Sequence, residues 1–134
     1  MFLIGCGRVG ISVASGLERV GYRVVGVRDT DARSESRAAR LLRVRQRPGI
    51  LSQADIILIA TPDAQIAHAY RLIARSLRKD QTLVHFSGAL ASEVFAGARR
   101  RGVSALAMHP VMTFPSFNPG RSFQRCWFAL VGDR

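Results

Sequence analysis

Lysine is almost missing from this chain of 134 residues: Lys79 stands alone against nineteen arginines. Acidic residues are scarce too, nine against twenty basic ones, which leaves a net charge of +11. An arginine bias of this kind fits a genome's codon habit better than a binding mode. The surplus itself gives salt-dependent, sequence-independent attraction to phosphates. The chain nevertheless has no helix-turn-helix signature, no aromatic stacking platform and no zinc spacing, so nucleic-acid binding through the arginines is only a distant alternative. Cysteine is limited to Cys6 and Cys126, at no metal or redox spacing, and both are expected to be reduced thiols. No apolar run approaches a membrane span, and residues 1–4 are too short and uncharged for a signal peptide. The expectation is a soluble cytoplasmic protein. With 48% apolar residues and this length, the chain should fold as one globular domain over residues 1–134.

What is present is concentrated at the start. Gly5-Cys6-Gly7-Arg8-Val9-Gly10 follows the apolar residues Phe2, Leu3 and Ile4 and precedes a helical pattern. A dinucleotide's pyrophosphate must approach backbone N–H groups at a helix N-terminus, and any Cβ in the way holds it off. Gly5 would allow the tight turn, Gly7 the close approach and Gly10 the packing of helix on sheet. Val9, Val13, Leu17 and Val20 then share one helical face, and Gly21 is a stop. A second strand over 23–27 ends in Arg28 and Asp29, and Asp29 lies nineteen residues past Gly10, where an acidic residue hydrogen-bonds a ribose hydroxyl. Asp29 argues for NAD, whereas Arg28 and Arg33, flanking the strand end, argue for a 2'-phosphate and NADP. Two guanidinium groups can hold a phosphate and outweigh a carboxylate that turns away or pairs with them. NADP is therefore the expected cofactor and NAD the alternative.

The remaining chain repeats strand and helix. Thr30 or Asp31 can cap a helix reaching Leu42, with Arg33, Arg37 and Arg40 on a solvent face. Residues 43–47 suit a short edge strand or a loop, and 50–53 a helical turn. Residues 54–60 form an apolar strand of the kind buried between two helical layers, ending in Thr61-Pro62-Asp63, where Asp63 can cap the next helix. That helix carries Ile66, Tyr70, Ile73 and Leu77 on one face and leaves His68 on the surface. A strand over 82–86, a helix over 92–101 stopped by Gly102, a strand over 103–108, a loop over 111–123 and a last strand over 126–131 complete the pattern. The fold class is α/β, a doubly wound, mostly parallel sheet with helices on both faces.

Four signatures stand in order: Gly5 to Gly10, Ala60-Thr61-Pro62-Asp63, His85-Phe86-Ser87-Gly88-Ala89 and His109-Pro110-Val111-Met112-Thr113-Phe114. Together they resemble the bacterial family of Rossmann-like proteins with a C-terminal domain of unknown function numbered 2520. That family is similar in turn to the 6-phosphogluconate dehydrogenase-like reductases, including pyrroline-5-carboxylate reductase and the F420-dependent NADP reductases. The resemblance implies a cofactor domain followed by a helical domain that closes the substrate cleft and often dimerises. That second domain is missing from this chain, which is expected to be a fragment or a shortened gene. The resemblance further implies that Cys6, Gly7, Arg8 and Val9 contact the pyrophosphate, mainly through the backbone, and that Arg28 and Asp29 meet the adenosine ribose. On the same footing, Ala60, Thr61 and Pro62 lie along the cofactor, and Ser87 and Gly88 reach the nicotinamide or the substrate.

Hydride transfer needs a proton donor beside the reacting carbonyl or imine. His109, expected just past a strand end, is a candidate donor or else a brace for the loop that follows. Ser87 is a candidate to bond substrate or to cap the helix after Ala89, and His85 reads as an interior histidine. Thr113 and Asn118 are polar residues in a loop suited to be a lid. The functional expectation is an NAD(P)-binding domain of an oxidoreductase acting on a small keto or imino compound. The alternative is a dinucleotide-binding module without turnover.

Overall fold

The computed structural model describes residues 1–45, 47–116, 123 and 126–132. Asn118 and most of the loop around it lie outside these residues. Six strands form one sheet in the order β2-β1-β3-β4-β5-β6. They are β1 (Phe2–Ile4), β2 (Gly26–Arg28), β3 (Ile56–Ile59), β4 (Thr82–His85), β5 (Ser104–Pro110) and β6 (Phe128–Gly132). The first five run parallel, and β6 adds antiparallel to β5.

Successive strand residues point to opposite faces, so a strand apolar at every position feeds two cores. Leu3, Leu58 and Val84 pack with α1 (Arg8–Arg19) and α2 (Ala32–Leu41) on one face. Phe2, Ile4, Ile57, Ile59 and Leu83 pack with α3 (Asp63–Ile73) on the other. The link from α2 to β3 changes face, because Val44 belongs with α2 whereas Ile50 and Leu51 pack on the α3 side. Over that link the described residues hold no edge strand, only a loop and a 3-10 turn at Ile50–Gln53.

Several expectations need correction. Val20 is 71% exposed, because α1 closes one residue earlier. Gly21 at φ 97° donates to the Glu18 carbonyl and Tyr22 to that of Leu17, which turns the chain out of the helix. Arg37 is half-buried and not on a fully solvated face. The helix expected over 92–101 is two short 3-10 turns, Ser92–Val94 and Arg99–Arg101. Gly97 at φ 81° breaks the segment, and Phe95, 2% exposed and in contact with the rings of Tyr70 and His85, anchors it. The N-cap of α2 is Asp31, whose carboxylate accepts from the Ser34 N–H at 3.0 Å and is held below the usual carboxylate range by its bonds to Ser34. That of α3 is Pro62, not Asp63.

Strand β5 also runs further than expected. Its pairing with β4 stops at Ala107, but its pairing with β6 continues to Pro110 opposite Phe128. Residues 108–110 therefore overhang the parallel sheet, and Pro110, which has no N–H to donate, sits where no β4 acceptor awaits it. His109, expected just past the strand end, is carried on this overhang as part of the strand.

Candidate functional site at the carboxyl rim

The turn between β1 and α1 explains two of its three glycines from packing alone. Gly5 has φ 90°, and a Cβ there would lie 2.6 to 2.7 Å from the Ala60 carbonyl and the Thr61 nitrogen. A Cβ on Gly10 would meet the Gly5 carbonyl oxygen, Ala60 Cβ and Leu3 Cδ1. Gly7 is different. Its φ is −75°, open to any residue, and a Cβ there would meet nothing within 4 Å.

Gly7 is the N-cap of α1, without a side-chain cap, and the backbone N–H groups of Gly7, Arg8 and Val9 have no acceptor among the described residues. The Cys6 N–H instead donates to Asp29 Oδ2 at 2.6 Å. Asp29 Oδ1 accepts from the Asp31 N–H at 2.9 Å, so the carboxylate is held at the end of β2 from both sides. The Asp29 N–H in turn donates to Glu35 Oε2 at 2.9 Å. Arg28, largely exposed, lies 3.7 Å from the same carboxylate oxygen. The Cys6 thiol is buried beneath the turn and pushed up to about 12, first by burial and then by the charge of Asp29.

A cavity of about 910 Å³ opens beside this turn, lined by Gly5, Gly7, Arg28, Asp29 and Thr30 and, opposite, by Ala60, Thr61 and Pro62. Inside this rim the Thr61 hydroxyl oxygen is buried with no hydrogen-bond partner among the described residues. The cavity continues along α3 past Gln65, His68, Ala69 and Leu72. None of these four was given a role from the sequence, and His68 was expected only to lie on the surface. The usable signal was that α3 starts at the rim, so its first two exposed turns border whatever the rim holds. Arg8 faces elsewhere: its Nη1 donates to the Pro115 carbonyl at 3.0 Å and ties the start of α1 to the loop after β5.

Ser87, His85 and His109 form a second group, at the ends of β4 and β5. The Ser87 hydroxyl donates to Asp63 Oδ2 at 2.7 Å and accepts from the Ala89 and Leu90 N–H groups, each at 3.1 Å. Ser87 thus caps a turn, since no α-helix follows it among the described residues. His85 is fully buried, with Nδ1 accepting from the Ser87 N–H and Nε2 facing the Ala91 carbonyl. Burial holds its pKa below the usual imidazole value. His109 Nδ1 lies 3.1 Å from the Phe86 carbonyl, and its ring covers Gly88 so closely that a Cβ there would come within 2.9 to 3.0 Å of three ring atoms.

Thus an open glycine at a helix N-terminus, an anchored acid and a buried hydroxyl border one cavity at the carboxyl ends of β1, β2 and β3, as open α/β sheets arrange their ligand sites. A family model described as the Rossmann-like domain matches residues 1–110. The chain belongs to the Rossmann-like domain family. Solved structures share this Rossmann-like fold. A candidate NADP oxidoreductase from Bacteroides fragilis superposes with a TM-score of 0.79 at 20% identity, over 98% of this chain and 49% of its own. An arogenate dehydrogenase from Synechocystis gives 0.68 at 20% identity, over 86% and 42%. An imine reductase variant from Myxococcus stipitatus, in complex with NAD+, gives 0.66 at 24% identity, over 84% and 40%. The Rossmann-like chain thus spans about half the length of these structures or less. No curated protein matches its sequence. Among the described residues no helix is long and apolar enough to cross a membrane, and no group of His, Cys, Asp or Glu could hold a metal ion.

Proposed function

We propose that this domain binds a nicotinamide dinucleotide and serves as the cofactor half of an oxidoreductase that moves hydride to or from a small keto or imino substrate. The observation that carries the reading is the bare face of Gly7. Three N–H groups without acceptors among the described residues meet there at a helix N-terminus, where the macrodipole adds positive potential. The pyrophosphate would rest on Gly7, Arg8 and Val9, with Cys6 contributing only the backbone bond that fixes Asp29. Asp29 would accept from the adenosine ribose, and the unpartnered Thr61 hydroxyl, between Ala60 and Pro62, would face the cofactor's length. His68 and Leu72 would flank the adenine.

A nicotinamide held there would supply or take up the hydride, and the protein's part would be to orient it and to handle the proton. His109 supports that role. Its bond to the Phe86 carbonyl requires the hydrogen on Nδ1, which leaves Nε2 without a partner among the described residues and able to carry a proton. Ser87 supports a bracing role better than a substrate contact, because its one hydrogen and two lone pairs are already used.

The two cofactors are separated by Asp29. Preference for NADP required its carboxylate to turn away or to pair with Arg28 and Arg33. It is instead bonded to the Cys6 and Asp31 amides, and Arg28 faces Glu35. These bonds support a free ribose diol and hence NAD. Calorimetric titration with NADH and NADPH tests both levels. Saturable binding of either supports the dinucleotide reading, and none near a millimolar removes it. NADH binding at least as tight as NADPH supports the reading of Asp29. Tenfold preference for NADPH, abolished in Arg28→Ala, would instead place a 2'-phosphate on Arg28.

A further inference from the structure

Asp63 has no part in holding a dinucleotide in this reading, nor does it cap its helix, yet its side chain bonds across the rim to the next strand end. It opens α3 at the end of β3, and its Oδ2 accepts the Ser87 hydroxyl from the end of β4 at 2.7 Å. Ser87 has no freedom left: its oxygen also takes the N–H groups of Ala89 and Leu90, and its own N–H bonds His85 Nδ1. These bonds hold the turn over residues 87–90 in one conformation. Gly88, the second residue of that turn, lies against the His109 ring at a distance that leaves no room for a Cβ. The carbonyl of Phe86, just before the turn, takes the His109 Nδ1 hydrogen.

We propose that Asp63 is a positioning residue for His109, an inference that rests on the reading of His109 as the proton donor. By fixing the Ser87 hydroxyl, Asp63 keeps Phe86 and Gly88 against the imidazole, and so decides which nitrogen carries the hydrogen. The buried His85 and the half-buried His109 come out as opposite tautomers. His85, with Nδ1 accepting and Nε2 facing a carbonyl, carries its hydrogen on Nε2. His109, with Nδ1 facing a carbonyl, carries it on Nδ1 and presents Nε2. The carboxylate acts through two intermediaries, Ser87 and the turn, and touches neither substrate nor cofactor. Asp63 is itself exposed, so replacing it opens no hole in the core.

The test is the tautomer of His109, read from the ring-nitrogen shifts of the uniformly 15N-labelled chain without cofactor. Three histidines are present, and His109→Gln and His68→Gln assign the signals. The expected result is an Nδ1–H ring at His109 in the parent. In Asp63→Ala and Ser87→Ala it should relax toward the Nε2–H form that free imidazole favours, while Asp63→Asn, whose amide oxygen can still accept from Ser87, retains the parent signature. An ordinary loss of stability would lower the melting temperature and leave the tautomer in place. An unchanged His109 tautomer in both alanine variants would overturn the proposal, as would an Nε2–H ring in the parent. Dinucleotide titration of the parent is read separately. Absence of binding there removes the functional reading without altering the tautomer result, and a negative tautomer result leaves cofactor binding intact.

Discussion

Gly7→Ala is expected to separate folding from binding, because a Cβ at this position meets nothing within 4 Å and φ at −75° suits alanine. The folded state loses only the preference of an N-cap for glycine over alanine, a few tenths to about 1 kcal/mol. The methyl group would stand where the pyrophosphate approaches the N–H groups. Loss of one hydrogen bond to a charged phosphate costs about 1.5–3 kcal/mol, or roughly 10- to 150-fold in Kd. Gly10→Ala is the internal contrast. Its methyl group collides with the Gly5 carbonyl oxygen and lies 3.0 and 3.1 Å from Ala60 Cβ and Leu3 Cδ1. Overpacking there should cost about 1–3 kcal/mol and lower the melting temperature by several degrees. Circular dichroism melts and calorimetric titration of both variants give the two readouts. Binding of NADH or NADPH by Gly7→Ala as tight as the parent's, or a melt as early as that of Gly10→Ala, would refute this expectation.

Other outcomes follow from the same geometry. Asp29→Ala removes the acceptor of the Cys6 and Asp31 N–H groups and should cost about 1.5–3 kcal/mol in a denaturant titration; an unchanged midpoint would show that these bonds contribute nothing. Cys6, fully buried with its thiol pushed up to about 12, should resist an aromatic disulfide reagent in the folded chain while the half-buried Cys126 reacts, so two fast equivalents would contradict the burial. Burial of His85 holds its folded pKa below that of the unfolded chain, so the unfolded state binds more protons. Stability is then complete above about pH 6.5 and falls as pH drops below it, and His85→Gln should flatten that limb of a melting-temperature profile. Gly88→Ala should displace the His109 ring and move its resonances; an unperturbed ring would show that the contact is loose.

The fold was legible because its signals are local. The apolar run over residues 54–60 reads as a strand covered on both sides, and β3 occupies Ile56–Ile59 within it, while Gly5, Gly10 and Asp29 keep the spacing that their packing and bonding require. The segment over 92–101 misled because its apolar spacing is helical, while the deciding fact is the left-handed backbone at Gly97, with Phe95 pulled into the core. Gly97 stood in the sequence and was the available warning. The site was only half legible, for a different reason. Asp63 and Ser87 are 24 residues apart, and Arg8 and Pro115 are 107 apart. Nothing local distinguishes an aspartate that caps its own helix from one that crosses to the neighbouring strand end. Likewise, His68 and Leu72 border the cavity only because α3 begins at the rim, which is a property of the assembled sheet.

Amide chemical-shift mapping of the intact chain during titration with NADH, and in parallel with NADPH, tests the central claim most directly. The account predicts saturable shifts at the backbone N–H groups of Gly7, Arg8 and Val9, with Asp29 and Thr61 following at the same ligand concentration. Shifts confined to the exposed arginines at 99–101 and erased by moderate salt, or none at all near a millimolar, would contradict it.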